Sequence, residues 1–227
     1  MIYKIIASGS KGNCTIIENS IAIDMGVSFK ALGDYKQRIK VVLLTHCHAD
    51  HFNQSTIKAL AQQRPSIKFI CAPFLAKKLY ELVGKDRVWV LSIGGLYNLT
   101  KEGNRKFSCF KLKHDVPNVG WRIMINGQKC IYATDTGSME VDGKKIVARN
   151  YDLYLIEANY LTQEAINRSI RKKAQGIYSY ELRAMNNHLS KEQCDEFLSE
   201  NMGKNSEFVY MHKHVEVMHD GKPIAAY

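Results

Sequence analysis

The chain has 227 residues, 45% of them hydrophobic and 24% charged, with a formal net charge of +10. That length fits one large domain or two small ones, and the composition is that of an ordinary soluble globular protein. No apolar run approaches the roughly 20 residues that a membrane-spanning helix needs. Met1-Ile2-Tyr3-Lys4-Ile5-Ile6 enters a strand-like segment at once, without the apolar core or cleavage site of a signal peptide. A cytoplasmic protein with no membrane partner is therefore expected. The excess of positive charge favours anionic partners such as nucleic acid, nucleotides or phosphates, although a generally basic surface gives the same number. The six cysteines (Cys14, Cys47, Cys71, Cys109, Cys130 and Cys194) contain no C-x-x-C pair. In such a chain they read as buried thiols.

In chain order, Ile2–Ala7 and Cys14–Glu18 read as strands joined by the turn Ser8-Gly9-Ser10-Lys11-Gly12-Asn13, and Ile21–Asp24 as a short strand before the breaker Met25-Gly26. Val41–Leu44 is a buried strand by its uncharged, β-branched content. Asn53–Gln63 has helical spacing at Ile57, Leu60 and Ala61, and Phe74–Val83 is a helix closed by Gly84. Strands are expected at Ile67–Cys71, Val88–Leu91 and Phe107–Lys113. Trp121–Ile125, Asn126-Gly127 and Lys129–Thr134 form a hairpin signal. Leu153–Glu157 and Phe208–Met211 are strands. Thr162–Gln175 is a helix with a basic face of Arg168, Arg171, Lys172 and Lys173. Ser190–Asn201 is a helix with Ser190 as N-cap and Gln193 as its capping-box partner. No short-period repeat or low-complexity segment interrupts this series. Strands in runs, then alternating with helices, predict mixed sheets covered by helices.

The densest chemistry lies at Thr45-His46-Cys47-His48-Ala49-Asp50-His51, directly after Val41–Leu44. Three imidazoles and a carboxylate in six residues, presented from the end of a rigid strand, form a metal-site pattern. Four donors so close are too many for one ordinary ion, so the spacing points to two. Other donors also follow apolar strands: His114-Asp115 after Phe107–Lys113, Asp135 after Lys129–Thr134, and His212 after Phe208–Met211.

With these residues the chain resembles the metallo-β-lactamase-fold hydrolase superfamily over essentially its whole length. Ile23-Asp24 matches the first motif and His46-x-His48-x-Asp50-His51 the second. His114, Asp135 and His212 match the third, fourth and last, in the right order. Within the superfamily the chain looks most like the YycJ-like exonuclease branch, near the phosphodiesterase relatives of RNase Z. Ser-Gly-Ser-x-Gly-Asn at 8–13, Thr-Asp-Thr-Gly at 134–137 and His188-Leu189-Ser190 carry that likeness. Two departures stand out. Asn187 precedes His188 where the family has Gly, and the chain reads His212-Lys213-His214 where the family has His-x-Ser. Strand phase favours His212 as the last ligand, with His214 as the alternative.

The resemblance implies an α/β fold, a four-layer αββα sandwich of two mixed β-sheets flanked by helices, in a single domain over 1–227. It implies two divalent metal ions, zinc first, with manganese or iron as alternatives. His46, His48 and His114 would hold one ion and Asp50, His51 and His212 the other, with Asp135 bridging and Asp24 orienting a ligand histidine. A metal-bridging hydroxide would attack phosphorus. Asp50 and His188 are the catalytic candidates, His188 as general acid. Ser10, Asn13, Arg168, Arg171 and Arg183 are candidate substrate contacts.

Residue identities narrow the chemistry. His rather than Glu at 48 speaks against diiron oxygen reduction, and Asp rather than Cys at 135 against a true β-lactamase. The interval from Asp135 to His188 is too short for the helical insert of CPSF-type nucleases. There is no Gly/Pro-rich arm like that of RNase Z, and Phe52-Asn53-Gln54 stands where glyoxalase-type enzymes carry glycines. The expected activity is a phosphodiesterase, first a DNA or RNA exonuclease and alternatively a small-molecule (cyclic nucleotide) phosphodiesterase. A nucleic-acid-binding module with structural metals is the non-enzymatic reading. Oligomeric state is left open, a homodimer included.

Overall fold

The computed structural model describes residues 1–98, 104–179 and 181–213, and the backbone of 215–217 and 223–225. His214, the alternative last ligand, lies outside the described residues. The strands are β1 Tyr3–Ala7, β2 Cys14–Ile17, β3 Ile21–Ile23, β4 Val41–Leu43, β5 Lys68–Cys71, β6 Val88–Val90, β7 Leu96–Asn98, β8 Arg105–Leu112, β9 Asn118–Ile125, β10 Gln128–Ala133, β11 Glu140–Val141, β12 Lys144–Lys145, β13 Leu153–Glu157, β14 Glu207–Met211, β15 Val215–Val217 and β16 Pro223–Ala225. The helices are α1 Tyr35–Arg38, α2 Gln54–Gln63, α3 Pro73–Val83, α4 Thr162–Ala174, α5 Glu181–Asn187 and α6 Lys191–Asn201.

One six-stranded sheet has the order β1-β2-β3-β4-β5-β6, and a second has β14-β13-β10-β9-β8-β7. Both are mixed. The β1–β2–β3 meander is antiparallel while β3 to β6 run parallel, and parallel β13–β14 shares the second sheet with antiparallel β7–β8. The chain divides into two compact units, 1–111 with 119–130, and 112–118 with 131–227.

In the first unit, β2, β3 and β4 are buried along their whole length, the mark of strands covered on both faces. Val42, Leu44, Phe69 and Cys71 pack in one cluster with Ile57 and Leu60 of α2 and Leu75 and Leu79 of α3. Each fully buried aliphatic side chain contributes roughly 1.5–3 kcal/mol. Asn53 caps α2 through its side chain, and Pro73 starts α3 at a position that needs no N–H donor.

In the second unit, β13 is buried throughout. Tyr154 on this strand donates its hydroxyl at 2.5 Å to the carbonyl of Ala148. The capping box expected at Ser190 and Gln193 is present. α4 ends in a Schellman turn: Ile177 N–H donates to Lys172 O at 2.8 Å and Gly176 N–H to Lys173 O at 3.1 Å, with Gly176 at φ 69°. The expected elements are all present, with ends displaced by up to three residues, the largest at β9, which starts at Asn118 and not at Trp121. The sequence reading missed α1, β7, the β11–β12 hairpin, β15, β16 and α5. In α5 only Glu181 is buried, so no apolar stripe marks it as a helix. Among the described residues no helix is long and apolar enough to cross a membrane.

Candidate metal centre

Three of the expected site residues leave their strands in the left-handed backbone region: Asp24 after β3 (φ 60°), Asp135 after β10 (φ 56°) and His212 after β14 (φ 51°). For non-glycine residues this conformation costs roughly 1–2 kcal/mol each. Strain of this kind persists only where the surroundings over-determine it, which is common at functional sites.

In the first unit, Asp24 is fully buried. Its Oδ1 accepts from Thr45 N–H at 2.9 Å and from the Thr45 hydroxyl at 2.8 Å, and its Oδ2 lies 2.7 Å from His51 Nδ1. A carboxylate on Nδ1 fixes the ring with its Nε2 lone pair outward, the arrangement typical of metal-binding histidines. Thr45 Oγ1 does the same for His46, at 3.0 Å from Nδ1. His46 Nε2 and His48 Nδ1 lie 3.1 Å apart, a separation that fits two nitrogens on one ion at about 2.0–2.1 Å each. Asp50 Oδ2 is 3.8 Å from His51 Nε2.

The turn at 8–13 supports this cluster from beside it. Asn13 is buried, and its amide nitrogen lies 2.7 Å from His51 Nε2, 3.2 Å from Asp50 O and 3.0 Å from Gly9 O. Its backbone N–H donates to Asp50 O at 2.6 Å. Ser10 is on the exposed part of that turn. Gly26 passes directly under the ligand loop: a Cβ there would sit 1.7 Å from Asp50 O. In sequence Gly26 reads only as a strand breaker. The tight pairing it makes room for is visible in Met25 N–H donating to His51 O at 2.8 Å and Asn53 N–H donating to Met25 O at 3.0 Å.

In the second unit the organising group is Glu157, which in sequence reads only as the end of a strand. It is fully buried at the end of β13. Its Oε1 lies 2.7 Å from His188 Nδ1 and 3.0 Å from His212 Nδ1, and its Oε2 accepts from Thr136 N–H at 2.9 Å and Leu189 N–H at 3.2 Å. One carboxylate thus orients two imidazoles, which stack with ring centroids 5.2 Å apart. Asp135 Oδ1 lies 3.5 Å from His212 Nε2 and 3.6 Å from His188 Nδ1. Asn118 holds the Asp135 turn by donating to Thr134 O and Asp135 O. Asp135, Glu157, His188 and His212 bring one donor atom each within 4.8 Å of one another. His114 points its Nδ1 at Asn187 O, 3.2 Å away, and its Nε2 lies 3.2 Å from Asp115. Here too a glycine admits the backbone: a Cβ on Gly137 would fall 2.0 Å from Asn186 O.

Electrostatics follow from this geometry. Burial alone would depress His188, but the Glu157 carboxylate outweighs it and raises the imidazole above its ordinary value. Glu157 is correspondingly lowered, because the charge on His188 overcomes the effect of burial. His114 is lowered, chiefly by burial.

The basic candidates divide. Arg183 pairs with Asp115 at 3.0 Å, next to His114. Lys172 pairs with the buried Glu181, so its first role is structural. Arg168 is half-buried on α4 and Arg171 is exposed near its end.

Imidazole and carboxylate donors whose Nδ1 atoms are held by carboxylates, a hydroxyl or a carbonyl suit a divalent metal. Two large mixed sheets with helices, carrying such donors at strand ends, are the metallo-β-lactamase fold. Residues 23–212 match the beta-lactamase superfamily domain, and the chain belongs to that family. It is 26% identical over 231 residues to the exodeoxyribonuclease WalJ of Streptococcus pneumoniae (serotype 2, strain D39), covering 92% of this chain and 80% of that protein. Its fold is similar to that of the short form of human tRNase Z, with a TM-score of 0.69 at 16% identity over 94% of this chain and 92% of that one. The metallo-β-lactamase fold protein YhfI of Bacillus subtilis gives a TM-score of 0.66, also at 16% identity, over 96% of this chain and 88% of that one.

Proposed function

We propose that this protein is a metal-dependent phosphodiesterase that degrades nucleic acid as an exonuclease, residues 1–227 acting as one hydrolase domain. The observation that carries this reading is the Glu157–His188 pair. It orients an imidazole beside Asp135 and raises its pKa, which suits a proton donor to an alkoxide leaving group. The net charge of +10 suits a polyanionic substrate, and the similar exodeoxyribonuclease points the same way.

In this reading His46, His48, Asp50, His51, His114, Asp135 and His212 would hold two divalent ions. Two zinc ions fit this donor set best. Bound there, the metals would supply Lewis acidity and activate water at neutral pH. Asp24 keeps His51 in its ligating tautomer, and Glu157 does so for His212 while raising the pKa of His188.

A panel of single-stranded DNA, duplex DNA, RNA and cyclic nucleotides, each with added zinc or manganese, tests the proposal. Release of mononucleotides from a linear strand is expected, together with close to two metal equivalents by elemental analysis and no turnover for His48→Ala. Cleavage of cyclic nucleotides alone would replace it with a small-molecule phosphodiesterase. Metal-free protein with unchanged turnover would refute the site.

A further inference from the structure

The α4–α5 hairpin of the second unit carries side chains that its fold does not use. The inner side of α4 is marked by buried Ala165 and Ser169. Ile166, Ile170 and Lys173 follow at i, i+4 and i+7, so they form one stripe along a different side. Ile166 is 37% and Ile170 61% exposed. Beyond the Schellman turn, Ile177 and Tyr178 are 53% and 80% exposed, and Leu182 on α5 is 49% exposed. Several large apolar side chains exposed on one hairpin are a candidate binding surface.

The hairpin is locked internally. Lys172 pairs with buried Glu181, Ser179 donates to Glu181 Oε2 at 2.8 Å, and Ser179 and Ser169 hydroxyls meet at 3.0 Å. The exposed side chains are thus held on a fixed frame. Around them the charge is positive: α4 ends in Arg171 and Lys173, with Lys172 neutralised by Glu181, and only Glu164 is acidic in its first turn. A second copy of this chain would bring these cations against each other, whereas a polyanion would be attracted. Exposed aromatic and aliphatic faces interleaved with cations are what a single strand requires, bases on the first and phosphates on the second.

We infer that the α4–α5 hairpin, through Ile170, Lys173, Tyr178 and Leu182, is a docking surface for a single-stranded nucleic acid, with a base stacked on Tyr178. This deepens the nuclease reading and rests on it. α5 runs straight into His188. Its seven residues span about 10 Å, roughly three stacked nucleotides at ~3.4 Å each. The surface therefore grips the strand a few nucleotides from the proton donor.

The test measures binding of a fluorescein-labelled 12-mer of thymidylate by anisotropy, in a His48→Ala background that cannot cleave it. In the otherwise wild-type enzyme, hydrolysis of bis(p-nitrophenyl) phosphate is followed in parallel. Tyr178→Ala should weaken 12-mer binding about 5- to 100-fold, and Tyr178→Phe should restore it. Lys173→Ala should reduce the salt slope by about 0.7. All three variants should hydrolyse the small diester at the wild-type rate. Unchanged 12-mer affinity in Tyr178→Ala and Lys173→Ala, with the small diester still cleaved, would overturn the docking surface and leave the phosphodiesterase intact. A wild-type dimer that Tyr178→Ala splits in sedimentation, without loss of 12-mer affinity, would likewise overturn it in favour of self-association. Failure of the wild type to cleave any diester, with 12-mer affinity still dependent on Tyr178, would remove the nuclease reading alone.

Discussion

His51 in the cluster at 46–51 and the two histidines around Glu157 are oriented by the same device, a fully buried carboxylate on the Nδ1 of an imidazole, but from differently distributed sequence. The first cluster packs its donors into one loop after β4, with Asp24 added from the neighbouring parallel strand β3. The second draws Asp135, Glu157, His188 and His212 from the ends of β10, β13, α5 and β14. Asp24 serves one ring and Glu157 serves two. A contiguous motif needs one anchor to fix its loop, whereas a dispersed cluster depends on a single shared anchor and is more vulnerable to its loss.

The sharpest way to probe this comparison is the glycine beneath each cluster. Gly26→Ala and Gly137→Ala place a Cβ within 2.0 Å of a backbone carbonyl, so backbone must move. Each should cost about 3 kcal/mol in urea denaturation, and metal content should fall with it. A loss under about 1 kcal/mol would show that the loops are not held as tightly as the geometry indicates.

Neutral isosteres of the anchors come next. Asp24→Asn and Glu157→Gln should each lower metal affinity about 10- to 100-fold in chelator competition, Glu157→Gln by more because two rings lose their partner. Equal losses would break the asymmetry between the clusters.

The same variants should separate in pH dependence. Glu157 holds the His188 pKa above its ordinary value, so turnover that needs the protonated ring fails as pH rises through that raised pKa. Glu157→Gln should move the basic limb of the pH–rate profile to lower pH, and Asp24→Asn should leave it in place. An unmoved limb in Glu157→Gln would take the proton-donor role away from His188.

The smallest effect is expected away from both clusters, at the lock of the α4–α5 hairpin. Burial would raise Glu181, but the contacts with Lys172 and Ser179 outweigh it and lower its carboxyl pKa. A lowered folded pKa contributes stability above the unfolded value, about 4.3, and that stability is lost as pH falls through the folded pKa. Glu181→Gln should therefore cost about 2 kcal/mol at neutral pH and converge with the wild type in acid. A pH-independent difference would mean that the carboxylate charge is not what closes the hairpin.

Much of this architecture is legible along the chain. Val41–Leu43 is uniformly apolar because both its faces are covered, and the cluster after it is readable because its ligands are local in sequence. Capping at Ser190 and the helix stop at Gly84 are decided by neighbouring backbone groups, so they too are readable. Glu157 was missed because a carboxylate after Leu-Tyr-Leu-Ile looks like the polar end of a buried strand. Only parallel pairing of β13 with β14, which sets Glu157 opposite Met211, brings it to His212. The need for glycine at 26 and 137 is set by the carbonyls of Asp50 and Asn186, long-range partners that no local pattern encodes. Sequence alone therefore determined the strand ends and the donor types, because these depend on periodicity and side-chain chemistry. Tertiary structure decided which carboxylate fixes which imidazole and which side chains of α4–α5 stay in solvent, because those depend on contacts between segments far apart in the chain.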